Sequence, residues 1–451
     1  MRLASRFGIA IALCLGLSLG LGAVTRPGAH ASMPLAGRAP YAFPPGSLQV
    51  YRMTAGQNML QLINPRSLAD LPGSVLQLGP QHAVKQTPSI AVTADGSKLA
   101  VTYQLPTRHW PIRAQDMTLQ LFDARTGEPL SIRHHPAIPL WMTGISADGS
   151  VVYGFRSDID LNQPCAPSPF YLLDARTGRV VQHLTIVASF WNSVLVGPNL
   201  QRLYAITSPD QINNCGPQNS YRPTITAYDL QTGKMVHTLQ LKTVLAGRWM
   251  TNWKVNGEPV AASWTPGIAL SPDGSQLAIL DGHSNALTLL HTRSLQVAGI
   301  ETLSRPRTAL QTIAAVLGLA PNAAEAKGQE NGVSLQMQYT ADGRSLIVTG
   351  SRLQPDRRHL YASSQSLGIR LIDIAGGRIK AWLDDGKRLV AIWPAPDGSA
   401  VYSSVEGWTR PGGWQYTLRR HDPATLQVRA QRTFLHMGNW WLNLFFLQGH
   451  R

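Results

Sequence analysis

Arginine, histidine and tryptophan recur together in this chain, a combination suited to holding ligands. Arg108, His109, Trp110 and Arg113 fall in one stretch, Arg357, Arg358, His359 and Tyr361 in a second, and Trp408, Arg410 and Trp414 in a third. A guanidinium fork matches a carboxylate or phosphate, and an indole face stacks on the apolar side of a sugar. Trp141 and Trp191 add two isolated indoles. The candidate ligand-binding set is therefore Arg108, His109, Trp110, Trp141, Trp191, Arg357, Arg358, Trp408 and Arg410. The same stretches offer an alternative chemistry, general acid–base catalysis of lactonase or lyase type by His109, His359, Arg108 or Glu406.

Other chemistries are weaker. His134 and His135 are adjacent, and adjacent strand residues point to opposite faces, so such a pair rarely ligates one ion. No Cys/His spacing suits zinc. Asp158 and Asp160 share a strand face, but two carboxylates fall short of a calcium cage. The stretch Gly282 to Ala286, reading Gly-His-Ser-Asn-Ala, resembles a serine nucleophile elbow without its second glycine. No metal, cofactor or catalytic residue is assigned.

The N-terminus reads as an export signal. Arg2 and Arg6 precede an apolar run from Phe7 to Val24, and Ala29 and Ala31 supply the small residues that signal cleavage requires. Cleavage after Ala31 is expected, an uncleaved membrane anchor being the alternative, and no later segment could span a bilayer. Residues 1–31 hold three arginines and no acid, so their removal lowers the net charge from +15 to about +12. The remaining cations are dispersed, which argues against a nucleic-acid partner and suits solubility or an anionic cell envelope. Cys165 and Cys215 survive cleavage, and an even number of cysteines in an oxidising compartment favours a disulfide.

The elements that must position these residues come from repeats. One motif is an Asp-Gly turn, at Thr93–Ser97, Ser146–Ser150, Ser271–Ser275, Thr340–Arg344 and Ala395–Ser399, with a degenerate copy at Gly197-Pro198-Asn199. Each is followed by an apolar, β-rich stretch such as Leu99–Tyr103. A second motif, Asp-x-x-Thr-Gly, follows at Asp123–Gly127, Asp174–Gly178, Asp229–Gly233 and Asp373–Gly377. Weaker copies are His291–Leu295, Asp422–Leu426 and Asn64–Leu68. Both motifs suit hairpin turns, because glycine accepts positive φ and aspartate bonds the nearby backbone.

The alternation of Ser-Pro-Asp-Gly-Ser-x-Leu with a later Asp-x-x-Thr-Gly resembles the YVTN-type β-propeller repeat of exported bacterial proteins, in the WD-like propeller superfamily. The resemblance covers nearly all of residues 48–446. The expected fold is all-β, a seven-bladed propeller of four-stranded antiparallel blades. Three N-terminal strands, near Leu48–Met53, Met59–Ile63 and Ser74–Leu78, and one from Asn439–Phe446 would close the ring in a shared blade. The expected organisation is a signal peptide over 1–31, a linker over 32–47, the propeller over 48–446 and a tail over 447–451. Residues 304–332 form a helical or flexible insertion between blades.

Both hairpin motifs fall on one face of such a ring. The longer connections Leu105–Asp116, Arg156–Ser168, Ser208–Arg222, Arg352–Ser366 and Glu406–Gly413 fall on the other, as do two expanded links between blades, Thr243–Gly267 and Ser304–Gly332. The first of these links contains a hairpin turn at Asn256-Gly257, flanked by Trp249, Trp253 and Trp264. Cys165 and Cys215 occupy equivalent loops of neighbouring blades, which predicts a disulfide between them. Function is expected on that loop-rich face: a binding scaffold for a small anionic or glycan ligand or a protein partner, with a structural surface protein or a propeller enzyme as alternatives.

Overall fold

The computed structural model describes residues 48–53, 59–77, 89–93, 95–104, 117–124, 126–156, 168–186, 194–208, 222–255, 258–303, 333–354, 363–384, 386–409, 413–434 and 443–448. The signal segment, the linker and the 304–332 insertion lie outside them.

Strands β1 (Leu48–Met53), β2 (Met59–Ile63) and β3 (Asp70–Gln77) come first, then β4 (Ser89–Val92), β5 (Lys98–Gln104), β6 (Met117–Asp123) and β7 (Pro129–His134). They are followed by β8 (Leu140–Ile145), β9 (Val151–Arg156), β10 (Ser168–Asp174) and β11 (Val180–Ile186). Next are β12 (Val194–Val196), β13 (Arg202–Thr207), β14 (Thr224–Asp229) and β15 (Met235–Gln240). A hairpin of β16 (Gly247–Val255) and β17 (Glu258–Thr265) precedes β18 (Gly267–Leu270), β19 (Gln276–Leu280), β20 (Ala286–His291) and β21 (Val297–Thr302). The remainder are β22 (Val333–Tyr339), β23 (Ser345–Gln354), β24 (Ser363–Asp373), β25 (Arg378–Leu383), β26 (Arg388–Pro394), β27 (Val401–Thr409), β28 (Gly413–His421), β29 (Val428–Phe434) and β30 (Asn443–Gln448).

The result is an all-β propeller with four-stranded antiparallel blades. Seven four-stranded blades were expected, and the structure has six among its described residues. The remaining sheet has six strands, in the order β16-β17-β22-β23-β24-β25. The cause is a parallel pairing of Trp264 with Val333 and Thr265 with Ser334, which grafts the β16–β17 hairpin onto β22. One blade is shared by the two ends of the chain, in the order β3-β2-β1-β30, with Leu48 opposite Gln448 and Met53 opposite Asn443. Leu447 and Gln448, expected in a tail, are the last residues of that strand. β3 also begins earlier than expected, because Asp70 pairs with Ile63 directly after the Asn64–Leu68 turn.

Each turn motif is fastened by its own side chains. In four Asp-Gly turns a Thr or Ser hydroxyl donates to the aspartate at 2.6 Å: Thr93 to Asp95, Ser146 to Asp148, Ser271 to Asp273 and Thr340 to Asp342. The following glycines take positive φ, near +70°, where a side chain would be strained. At Asp174–Gly178 and Asp229–Gly233 the threonine returns a backbone and a hydroxyl hydrogen bond to the aspartate, Thr177 to Asp174 at 2.6 and 2.7 Å and Thr232 to Asp229 at 2.7 and 2.9 Å. The degenerate copies keep this geometry. Leu68, Leu295 and Leu426 stand where glycine would, with φ of 62°, 53° and 60°.

The core is divided among the gaps between sheets. Leu119 and Leu121 of β6 pack with Leu140 and Met142 of β8, Phe170 and Leu184 with Leu203 and Ala205, and Ile347 and Ile369 with Leu389 and Ile392. The third strands β6 and β20 are almost wholly buried and β14 has no exposed residue, whereas the outermost strands β7, β15 and β21 are mostly exposed. Arg432 of β29 closes the ring, donating to the Leu68 carbonyl at 2.9 Å and pairing with Asp70 at 2.7 Å. Tyr402 donates across the same seam to the Pro65 carbonyl at 3.0 Å, and burial pushes its phenol up to about 12.

Candidate functional site

The two faces of the ring differ. The Asp-Gly and Asp-x-x-Thr-Gly turns all lie on one face. Their aspartates are occupied within the turns: hydrogen bonds from Ser146 and Ser150 hold Asp148 down to about 2, and those from Ser271 and Ser275 do the same for Asp273. On the opposite face the innermost strands begin, and there three structures extend the sheets. The β16–β17 hairpin rises from its anchor at Trp264, and six residues at about 3.3 Å each carry Glu258 roughly 20 Å above it. β23 and β24 pair as far as Gln354 and Ser363. β27 and β28 pair past Glu406, through Gly407–Gln415 and Trp408–Trp414 to Thr409–Gly413. Arg352–Gln354, Ser363–Ser366, Glu406–Thr409 and Gly413, expected within loops, are therefore paired strand, and the residues between them lie outside the described ones. The expected β16–β17 hairpin is present, with Val255 opposite Glu258, and its turn residues Asn256 and Gly257 lie outside the described residues.

Of the candidate ligand-binding residues, Trp141 is the best placed. It is the second residue of the innermost strand β8 and is 52% exposed, between buried Leu140 and Met142. Trp408 stands opposite Trp414 in the β27–β28 extension. Arg108, His109, Trp110, Trp191, Arg357, Arg358 and Arg410 lie outside the described residues, as do His359, Asp158, Asp160, Cys165 and Cys215. Glu406 lies on β27 opposite Arg388 and Tyr416.

The weaker motifs have structural roles. Ser284 donates its hydroxyl to buried Asp281 at 2.5 Å, and the same carboxylate accepts the Ser284 and His283 backbone amides at 3.0 and 3.2 Å. The hydroxyl therefore secures a turn. His134 ends β7 and His135 follows it, with ring centroids 6.3 Å apart and tilted by 53°. Among the described residues, no group of three His, Cys, Asp or Glu side chains could hold a metal ion, and no helix is long and apolar enough to cross a membrane.

A serine–histidine pair went unnoticed in the sequence. Ser403 Oγ lies 2.8 Å from His421 Nε2, and His421 Nδ1 lies 3.0 Å from the Leu426 carbonyl. A carbonyl only accepts, so Nδ1 carries the proton and Nε2 accepts from the serine. Both side chains are wholly buried, which closes them to any substrate.

The innermost strands surround a channel with a cavity of about 580 Å³ along β12, β18 and β22. On β22 polar and apolar residues alternate strictly: Ser334, Gln336 and Gln338 are exposed, while Val333, Leu335, Met337 and Tyr339 are buried. Gln336 and Gln338 donate to the Val390 and Ile392 carbonyls of β26 at 3.0 and 3.2 Å. The two glutamines lie outside the sequence-based candidate set, although this period-2 pattern was its available signal.

No protein-family profile matches this chain, and no curated protein matches it. Among solved structures it is similar to one titled Kuenenia stuttgartiensis hydrazine synthase, at 15% identity and a TM-score of 0.40, covering 75% of this chain and 78% of that one. A likeness at that level carries no argument about activity.

Proposed function

We propose that this protein is an exported β-propeller that acts as a binding scaffold, engaging a small ligand or a protein partner on its loop-rich face. The observation that carries this reading is the asymmetry of the ring. One face consists of short, internally satisfied turns, while the other carries the extended hairpins, the longer connections and the start of innermost strand β8, where Trp141 is exposed. Irregular extensions on one side of a rigid scaffold are where binding groups are usually carried. Export follows from the N-terminal pattern of residues 1–31, and the repeat's likeness to YVTN-type propellers agrees with it. The arginines of the 108–113 and 357–358 stretches and the pair Cys165–Cys215 belong to the same proposal, as recognition groups and a staple between two neighbouring connections.

The test is a thermal-shift screen of the purified protein against small glycans, carboxylates and phosphates, with binders mapped by hydrogen exchange. Protection is expected on the loop-rich face, and Trp141→Ala should weaken binding about fivefold or more with little change in Tm. Protection confined to the Asp-Gly face would overturn the assignment. A chain that binds nothing in the screen and none of its envelope neighbours would favour a purely structural role.

A further inference from the structure

We propose that the central channel takes a neutral, hydroxyl-rich ligand of the oligosaccharide class, held between the Gln336 and Gln338 carboxamides and an apolar strip of Leu195, Ile268 and Leu270. This rests on the binding-scaffold reading and gives it a ligand chemistry.

The geometry is specific. Gln336 and Gln338 both project from β22 into the cavity. Each is held by a hydrogen bond from Nε2 to a carbonyl of β26, so the carboxamides are fixed before any ligand arrives. Each keeps an Oε1 acceptor and a second N–H for a ligand. Two residues along a strand separate them by about 7 Å, farther than neighbouring hydroxyls on one ring, so a ligand of more than one ring would engage both. Leu195, Ile268 and Leu270 line the cavity beside them. A sugar ring has hydroxyls at its edge and apolar C–H groups on its faces, which fits a wall of this composition. A cavity of about 580 Å³ lies within the usual range for small ligands. Among the described residues lining it, none is Lys, Arg, His, Asp or Glu. An anion entering there would lose hydration without gaining a countercharge from these residues.

The experiment compares neutral cello-, malto- and chito-oligosaccharides with oligogalacturonate and heparin fragments, by saturation-transfer NMR and calorimetry on the whole protein. A neutral oligosaccharide should bind, and the double variant Gln336→Leu/Gln338→Leu should bind it at least about tenfold more weakly, since each glutamine offers hydrogen bonds to the ligand. Circular dichroism and Tm verify folding, and Gln336→Asn/Gln338→Asn, which keeps the amides but shortens their reach, serves as the second variant. Preference for the charged oligosaccharides, equal affinity in wild type and both variants, or no saccharide binding at all would each overturn the proposal. If saccharides fail while another ligand binds in a Trp141-dependent way, only this inference falls. If Trp141→Ala also leaves every binding signal unchanged, the scaffold reading falls with it.

Discussion

At the scale of single residues, the degenerate turn copies are the most instructive. Leu68, Leu295 and Leu426 occupy a left-handed conformation that disfavours a side chain, yet all three are buried, at 0%, 2% and 0% exposure. The conformation costs about 1 kcal/mol, while burying a leucine side chain gains about 1.5–3 kcal/mol. Burial wins. Leu426 packs with Ile392 and Val401, so Leu426→Gly should destabilise the fold by about 2 kcal/mol in urea denaturation. Leu426→Ala should be worse by roughly 1 kcal/mol, because it loses the packing and keeps the strain. At a position of ordinary φ the order of those two variants would be reversed, so equal or inverted values would refute the argument. The sequence showed these copies as weak turn matches, but a missing glycine reads as decay until burial shows what replaced it.

At the scale of elements, turns and strands were largely legible and their ends were not. Both turn motifs sit where the repeat placed them, because aspartate, threonine and glycine satisfy such turns locally and need no distant partner. Strand ends depend on what lies across from them. Glu406–Thr409 and Gly413 fall in a stretch expected as a loop, yet they pair across strands as far as Thr409 and Gly413. The β17–β22 pairing joins residues some seventy positions apart, and no local pattern announces it. The candidate site was legible only in part: Trp141 was located by its place at the start of an innermost strand, while the glutamine ladder required the channel to be seen. The turns also predict acid behaviour. Hydrogen bonds lower the Asp148 and Asp273 carboxyls to about 2, and those of Asp174, Asp229 and Asp342 are lowered as well. A group whose folded pKa is depressed contributes stability above its unfolded value, near 3.9, and loses it as pH falls through the folded value. Tm should hold steady from pH 7 to about pH 4.5 and fall between about pH 4 and pH 2. In Asp148→Asn/Asp273→Asn that fall should be smaller, and an unchanged slope would remove the turns as its cause.

At the scale of the whole molecule, closure is shared by backbone and side chains. β30 zips onto β1 over six paired positions, Arg432 clasps Leu68 and Asp70, and Tyr402 reaches Pro65. β30 runs from the loop-rich face to the turn face and β1 runs back, so Leu48 and Gln448 sit side by side at the turn face, across the ring from the candidate site. That adjacency makes the chain a candidate for circular permutation. A short glycine-serine bridge from Gln448 to Leu48, with new ends opened at Asn199, should give a monomer whose Tm lies within a few degrees of the parent, checked by calorimetry. The same arrangement suits tethering: anchored through either end of the propeller, the molecule would present the rim proposed for recognition outward, away from whatever holds it.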